Sequence, residues 1–154
     1  MRSQSIRNVR VGVVGCGVVA TAYYLPYLMK MPETEITAVC DIYEQRTAAC
    51  VRLFGARGQY SDYYEMIRRA DIDAVFILTG PGTHVPFTLA AVEAGKHVLL
   101  QKPMALTLDD ANAIARAVLS SACRPDATIA SRWLRHRSRA QRSGASDTTG
   151  QPWH

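Results

Sequence analysis

Apolar positions fall into two alternating rhythms along the first 120 residues. Short, nearly unbroken apolar runs occur at residues 9–14, 35–41, 71–79 and 96–100, and between them lie stretches at 18–31, 44–54, 63–70, 84–94 and 108–121 with apolar residues on a helical period. Runs of the first kind are strands buried on both faces, and stretches of the second kind are helices with one apolar side. Strand and helix in alternation predict an α/β fold, a doubly wound parallel sheet. Polar and glycine positions mark the boundaries. Gly55 and Gly95 are placed to end helices, and Asp62, Thr83 and Thr107 to cap the starts of others, the last with Asp109 and Asp110 in its first turn. A short extended piece is expected near Gln59 and Tyr60. Pro26 conflicts with the first helix, because it removes a backbone donor, so a kink or break is expected there.

From Cys123 the periodicity stops, and Arg, Ser, Thr, Gly and Gln dominate. A sheet of this kind calls for a sixth strand, and Ala127-Thr128-Ile129-Ala130 is a poor candidate for it. The expected organisation is a folded domain over residues 1–122 followed by an irregular, mobile C-terminal tail over 123–154.

The first strand runs into Gly15-Cys16-Gly17-Val18-Val19-Ala20, a G-x-G-x-x-A turn that opens a helix. Gly15 permits the sharp turn, and Gly17, lacking a Cβ, lets a pyrophosphate approach the main chain. Ala20 is small enough for close packing of the helix on the strand. The first amides of that helix are left to face phosphate oxygens. Such a turn alone is weak, but Asp41 ends the next strand, 24 positions after Gly17, where an acidic residue is needed to meet a ribose. Its carboxylate can accept from both ribose hydroxyls and would repel a 2′-phosphate. Ile42 and Tyr43 follow, with no Arg immediately after Asp41, so NAD is preferred over NADP as cofactor. The competing role for Asp41 is a plain helix cap for residues 44 onward.

Charge adds little to this picture. The net charge of +5 is nearly all in the last 32 residues, which carry six Arg and two Asp, so the folded part gives no reason to expect nucleic acid as partner. Four cysteines at 16, 40, 50 and 123 form no C-x-x-C pair and no metal-like cluster with the histidines, which suits a reducing, cytoplasmic setting. Arg2, Arg7 and Arg10 before an apolar run imitate a signal peptide, but glycines at 12, 15 and 17 interrupt the run, and no run is long enough to span a membrane.

Lys102 lies just past the carboxyl end of a strand, where parallel sheets bind ligands, and its ammonium could meet a substrate hydroxyl or a developing alkoxide. A solvated loop lysine is the plain alternative. His84 could donate a hydrogen bond near the cofactor, or simply start a helix. Cys16 reads as a small filler in the turn rather than a nucleophile.

Val11 to Ala20, Asp41, Thr79-Gly80-Pro81-Gly82-Thr83-His84 and above all Ala94-Gly95-Lys96-His97-Val98-Leu99-Leu100-Gln101-Lys102-Pro103-Met104-Ala105 resemble the amino-terminal domain of the Gfo/Idh/MocA oxidoreductases over about residues 8–122. The last segment is similar to the family's AGKHV…EKP signature. The resemblance implies a Rossmann domain that binds NAD(P) and acts on sugars, cyclitols or related alcohols, with Lys102 taking part in proton transfer at the reacting hydroxyl. Residues and resemblance together give a cofactor-binding set of Gly15, Cys16, Gly17, Val18, Val19, Asp41, Thr79, Gly80, His84, Gln101 and Lys102. Two positions depart from the pattern. Gln101 replaces the usual glutamate beside Lys102, and Gly80 stands where the T-P-x-x-x-H loop often has proline.

Family members continue into a second α+β domain that supplies most of the substrate pocket, and nothing after residue 122 resembles it. A small polyol or sugar substrate is therefore expected only with a second domain, and negligible dehydrogenase activity is expected of this chain alone. Three readings stay open: a truncated or frameshifted oxidoreductase, a stand-alone NAD-binding or sensing module, and an interaction protein with a basic tail. The strand at 96–100 would be an exposed edge beside uncovered apolar surface, from which a homo-oligomer or poor solubility is expected.

Overall fold

The computed structural model describes residues 8–121, which form one parallel sheet with helices on both faces. The expectations of a tail over 123–154, a domain boundary at 122 and a weak sixth strand lie outside these residues. Five strands, β1 (Val9–Val14), β2 (Thr34–Cys40), β3 (Gly58–Tyr60), β4 (Ala74–Ile77) and β5 (His97–Leu100), stand in the order β3-β2-β1-β4-β5. The expected α/β doubly wound parallel sheet is what the chain forms. From the central β1 the chain moves outward first to one side and then to the other, so the carboxyl ends of β1, β2 and β4 diverge. A crevice opens there.

One face of the sheet packs Val11, Val13, Val39 and Phe76 against Leu25, Leu28 and Cys50, and the other packs Ala38, Val75, Ile77 and Val98 against Tyr63, Met66, Ile67 and Ala91. These are the near-continuous apolar runs of the sequence, each strand giving alternate side chains to each layer. The helices are α1 (Leu25–Leu28), α2 (Glu44–Phe54), α3 (Tyr63–Arg69), α4 (His84–Glu93) and α5 (Leu108–Ser120).

The conflict at Pro26 is resolved by a wide turn rather than a break. A π turn, Ala20–Tyr24, precedes α1, and the Leu25 N–H reaches back five residues to Ala20 O. Pro26 thereby falls in the first turn of α1, where its missing N–H is of no consequence. Gly55 ends α2 at φ +69°, and Gly95 follows α4 at φ +69°, both in the left-handed region that favours glycine.

Asp62 accepts from Glu65 N–H at 2.7 Å and Thr107 from Asp110 N–H at 3.1 Å, so both cap as expected. Thr83 does not. Its backbone is helical (φ −101°, ψ −7°) after a 3₁₀ turn, Pro81–Thr83, and its hydroxyl instead lies 3.0 Å from Gly80 O and 2.6 Å from Thr79 Oγ1. A cap needs an extended backbone to aim its oxygen at the next turn, and the 3₁₀ turn denies that.

The strand expected over 71–79 is shorter. Asp73, just ahead of it, keeps backbone bonds to both neighbours (its N–H to Arg10 O at 2.8 Å, its carbonyl accepting from His97 N–H at 3.0 Å), and its carboxylate accepts from Arg10 Nε and Nη2 at 2.9 and 2.7 Å and from the Arg10 backbone N–H at 2.9 Å, while the guanidinium also pairs with Asp71. That hydrogen-bonded pairing raises the Arg10 pKa further. Arg10, read in sequence as part of a leader-like charge cluster, is a strand residue that ties β1 to the start of β4.

Candidate functional site

The crevice at the carboxyl ends of β1, β2 and β4 holds a cleft of about 520 Å³, lined by residues from the turns that follow these strands. The first turn is built on Gly15. Its φ is +89°, and a Cβ there would lie 2.8 Å from Leu78 C and 2.9 Å from both Leu78 O and Thr79 N. Only glycine fits both the dihedral and the contact. Gly17 differs: a Cβ would meet nothing within 4 Å, and the same holds at Gly80 and Gly82 across the cleft. Three glycines thus leave open space along the cleft. The first intrahelical bond after the turn is Thr21 N–H to Gly17 O at 3.0 Å, so the amides ahead of it at Val18, Val19 and Ala20 have no acceptor within the helix.

Asp41 ends β2 and is buried. Its Oδ2 accepts from Cys16 N–H at 2.8 Å and its Oδ1 from Tyr43 N–H at 2.9 Å. The carboxylate therefore stitches the glycine turn to the end of β2, a role that sequence spacing did not reveal. An ionised carboxylate offers about four acceptor positions, and two remain for ribose hydroxyls. The helix-cap alternative is not realised, since α2 has Tyr43 at its cap with no side-chain bond.

Arg46 was not anticipated. It lies on the first turn of α2, its Nη1 is 3.7 Å from Asp41 Oδ2, and its guanidinium stands 4.6 Å above the Tyr43 ring. The signal was the helical period: five residues past Asp41, one turn into α2, a side chain returns to the cleft.

Cys16 gives its backbone to the site and its side chain to the core. The thiol points at Cys40 O (3.6 Å), and a hydrogen bond with Cys50, followed by burial, pushes its pKa well above the ordinary value. Cys50 is pulled down by the same bond. A thiol so protonated and enclosed has the filler role expected of it.

Of the other expected residues, some line the cleft and some do not. Thr79 and Gly80 line the cleft. Val18 is exposed at the helix start. His84 is fully enclosed, with Nδ1 2.9 Å from Pro103 O and Nε2 3.1 Å from Thr79 O. Its ring joins the loop after β4 to the loop after β5 rather than lining the cleft. Gln101, Lys102 and Val19 border a second, larger cavity of about 1250 Å³ on the α1 face of the sheet, walled by Phe76 and Leu99. The Gln101 side chain accepts from Lys102 N–H at 2.7 Å, so the amide that replaces glutamate fixes the lysine's backbone without a charge. The Lys102 side chain is exposed.

Residues 9–125 match the family model described as the oxidoreductase family GFO_IDH_MocA, NAD-binding Rossmann fold. The chain belongs to this family. It is similar to the dTDP-3,4-didehydro-2,6-dideoxy-alpha-D-glucose 3-reductase of Streptomyces violaceoruber (36% identical over 66% of this chain and 30% of that protein). It also resembles an inositol 2-dehydrogenase of Klebsiella pneumoniae (30% identical over 74% of this chain and 34% of that protein). Among solved structures it superposes on KijD10, a 3-ketoreductase from Actinomadura kijaniata in complex with NADP and TDP-benzene, with a TM-score of 0.69 and 31% identity over 73% of this chain and 34% of that one. The chain therefore spans about a third of the length of these relatives. What the Gfo/Idh/MocA chain presents is a dinucleotide-binding Rossmann domain, with a cleft lined by strand ends, by the turns that follow them and by residues of α2, α3 and α4. Among the described residues no group of His, Cys, Asp and Glu could hold a metal ion, and no helix is long and apolar enough to cross a membrane.

Proposed function

We propose that this domain binds NAD with the pyrophosphate over the Gly15–Gly17 turn and the adenosine ribose on Asp41, and that it serves hydride transfer at a sugar or cyclitol alcohol when a substrate-binding partner closes on it. The observation that carries the reading is the stitched turn: Asp41 is held by the amides of Cys16 and Tyr43 with acceptor capacity to spare, beside a glycine with open space. The relatives named for inositol and deoxysugar substrates support the substrate class. When bound, the nicotinamide supplies or accepts the hydride. The chain's own part is to orient the dinucleotide through its turn and, through Lys102 Nζ, to exchange a proton with the reacting hydroxyl. Gln101 holds the Lys102 backbone in place for that task.

Among the described residues the cavity beside Lys102 has the sheet and the α1 segment as its wall and is open to solvent. Orientation of a reacting carbon against the nicotinamide needs a second wall. Negligible turnover by the isolated chain follows, as does NAD binding without turnover. Calorimetric titration with NAD, followed by a polyol panel monitored at the reduced-nicotinamide absorbance, tests both. Absence of NAD binding would refute the proposal, and turnover by the chain alone would refute the need for a partner.

A further inference from the structure

A carbonyl oxygen accepts hydrogen bonds and cannot donate them. Both bonds of the enclosed His84 ring end on carbonyls, Nδ1 at 2.9 Å from Pro103 O and Nε2 at 3.1 Å from Thr79 O. A neutral imidazole donates from one nitrogen and presents a lone pair at the other, so it would satisfy one of these carbonyls and repel the second. An imidazolium donates from both and makes the two contacts together. We propose that His84 is a positioning residue for Lys102 in its charged form: the imidazolium ties the loop that carries Lys102 to the loop that lines the nucleotide cleft, and frees one of them when it loses a proton. The bearing on proton transfer rests on the role given to Lys102 above, whereas the clasp stands without it.

The surroundings of the ring leave the two carbonyls as its partners. His84 is fully buried at the first position of α4. The loop after β4 brings the hydroxyls of Thr79 and Thr83, which bond each other at 2.6 Å. The loop after β5 brings Lys102, a cation with an exposed side chain. Across from α4, Tyr63 of α3 donates its hydroxyl to Phe87 O at 2.7 Å. On α5, which packs on α4, Asp109 and Asp110 lie in the first turn, and among the described residues no carboxylate is bonded to the ring. β4 has no titratable side chain, and that of β5, His97, is at its amino end. Burial and the amino end of α4 both oppose a charge at His84, so the two carbonyls alone hold the second proton. Bonds from an ionised donor are roughly twice as strong as neutral ones, which offsets that cost. A histidine that merely linked two loops as a neutral ring would have a hydroxyl or an amide N–H facing one nitrogen. Here both partners are acceptors.

Long-range proton–nitrogen correlation spectra of the full chain, labelled at histidine, read the ring directly. The two nitrogens of an imidazolium give like shifts, and those of a neutral tautomer do not. His84 is assigned by replacing the other histidines one at a time. A doubly protonated His84 ring is expected at about pH 6. As pH is raised toward about 9, loss of that proton and movement of the Gly80 and Lys102 backbone amide signals should share one midpoint, and in His84→Gln those amides should no longer titrate. A ring that keeps both protons across that range, with both loops unmoved, supports the proposal equally. A single neutral tautomer at about pH 6 overturns it, as does proton loss that leaves both amides in place. Calorimetric titration of the same samples with NAD keeps the two readings apart. Failure to bind NAD with the imidazolium intact refutes the nucleotide reading and leaves the clasp, whereas NAD binding by a chain whose His84 is neutral at about pH 6 refutes the clasp and leaves the nucleotide reading.

Discussion

Alanine at Gly15 and at Gly17 should have opposite consequences, although the two glycines are two residues apart in one turn. At Gly15 the backbone is at φ +89°, and the new Cβ would lie 2.8–2.9 Å from the backbone of Leu78 and Thr79. The positive φ costs an L-residue about 1–2 kcal/mol. Pushing two backbone segments of adjacent strand ends apart adds about 1–3 kcal/mol, because neither can rotate away as a side chain would. A loss of about 3–4 kcal/mol follows, which for a domain of this size lowers Tm by about 10–15 °C. At Gly17 the φ is ordinary and the added methyl meets nothing within 4 Å. Stability there should stay within about 0.5 kcal/mol or rise by up to about 1 kcal/mol, since alanine restricts the unfolded chain.

Thermal unfolding followed by far-UV circular dichroism reads the first effect and calorimetric titration with NAD the second. Gly17→Ala should fold as well as the wild type yet bind NAD at least about tenfold more weakly, because the methyl fills the space reserved for the pyrophosphate. Unchanged NAD affinity in Gly17→Ala would refute the placement of the phosphate chain. An unchanged Tm in Gly15→Ala would refute the turn geometry. A loss of stability in Gly17→Ala comparable with that in Gly15→Ala would show that both glycines are structural and that the open space has no use.

Asp41→Asn should cost about 1–3 kcal/mol in urea unfolding even without ligand, because an amide can accept from only one of the two backbone donors and turns its NH₂ toward the other. Stability should also fall at alkaline pH. Burial pushes the Cys40 thiol up from its ordinary 9.0 to about 12, and burial likewise raises Tyr63, so the folded state keeps protons that the unfolded state releases. The Cys40 contribution is complete below pH 9 and is lost between about 9 and 12, at about 1.4 kcal/mol per pH unit, and that of Tyr63 is complete below pH 10 and falls above it. Cys16 acts in the same sense and Cys50 in the opposite one. Urea midpoints at pH 8 and 10.5 should therefore separate less in Cys40→Ala than in the wild type. At the sheet edge, sedimentation velocity should show concentration-dependent self-association of the wild type that Leu99→Lys relieves, since Leu99 is on edge strand β5 and walls the open groove. A clean monomer at high concentration would argue against that surface as a contact.

Sequence revealed most of this fold because its strands are buried on both faces. Continuous runs such as 35–41 have one reading in a chain where helices intervene, and the helix stops at Gly55 and Gly95 are fixed by a dihedral that glycine alone adopts freely. What escaped was set by contacts between distant segments. The tie between Asp73 and Arg10 joins positions 63 residues apart, and the failure of Thr83 to cap depends on the conformation of the loop before it. The wide turn ahead of Pro26 was half legible: the conflict was visible, but the reach of Leu25 N–H to Ala20 O was not. At the site, the Gly15–Gly17 turn and Asp41 could be found by spacing. The two amides that engage Asp41, the enclosure of His84 and the return of Arg46 to the cleft needed the folded chain.

On the proposed reading, the two cavities have different parts, the smaller in nucleotide binding and the larger in substrate chemistry. The smaller one is bounded by glycine turns, Asp41 and Arg46, at the carboxyl ends of β1, β2 and β4 and the start of α2. The larger one has Lys102 at its rim and an apolar floor of Phe76 and Leu99, and among the described residues it is open to solvent. Affinity and chemistry are therefore carried by different surfaces. On the proposed nucleotide reading, substitutions in the smaller cleft should change nucleotide binding by the isolated chain. Substitution of Lys102 should leave 5′-AMP binding unchanged and show its effect only where a partner completes the groove and a hydroxyl is held against it. A Lys102→Ala chain that bound 5′-AMP about tenfold more weakly than the wild type would mean that the two surfaces are coupled through the His84 clasp between their loops, and that the division drawn from the cavities is wrong.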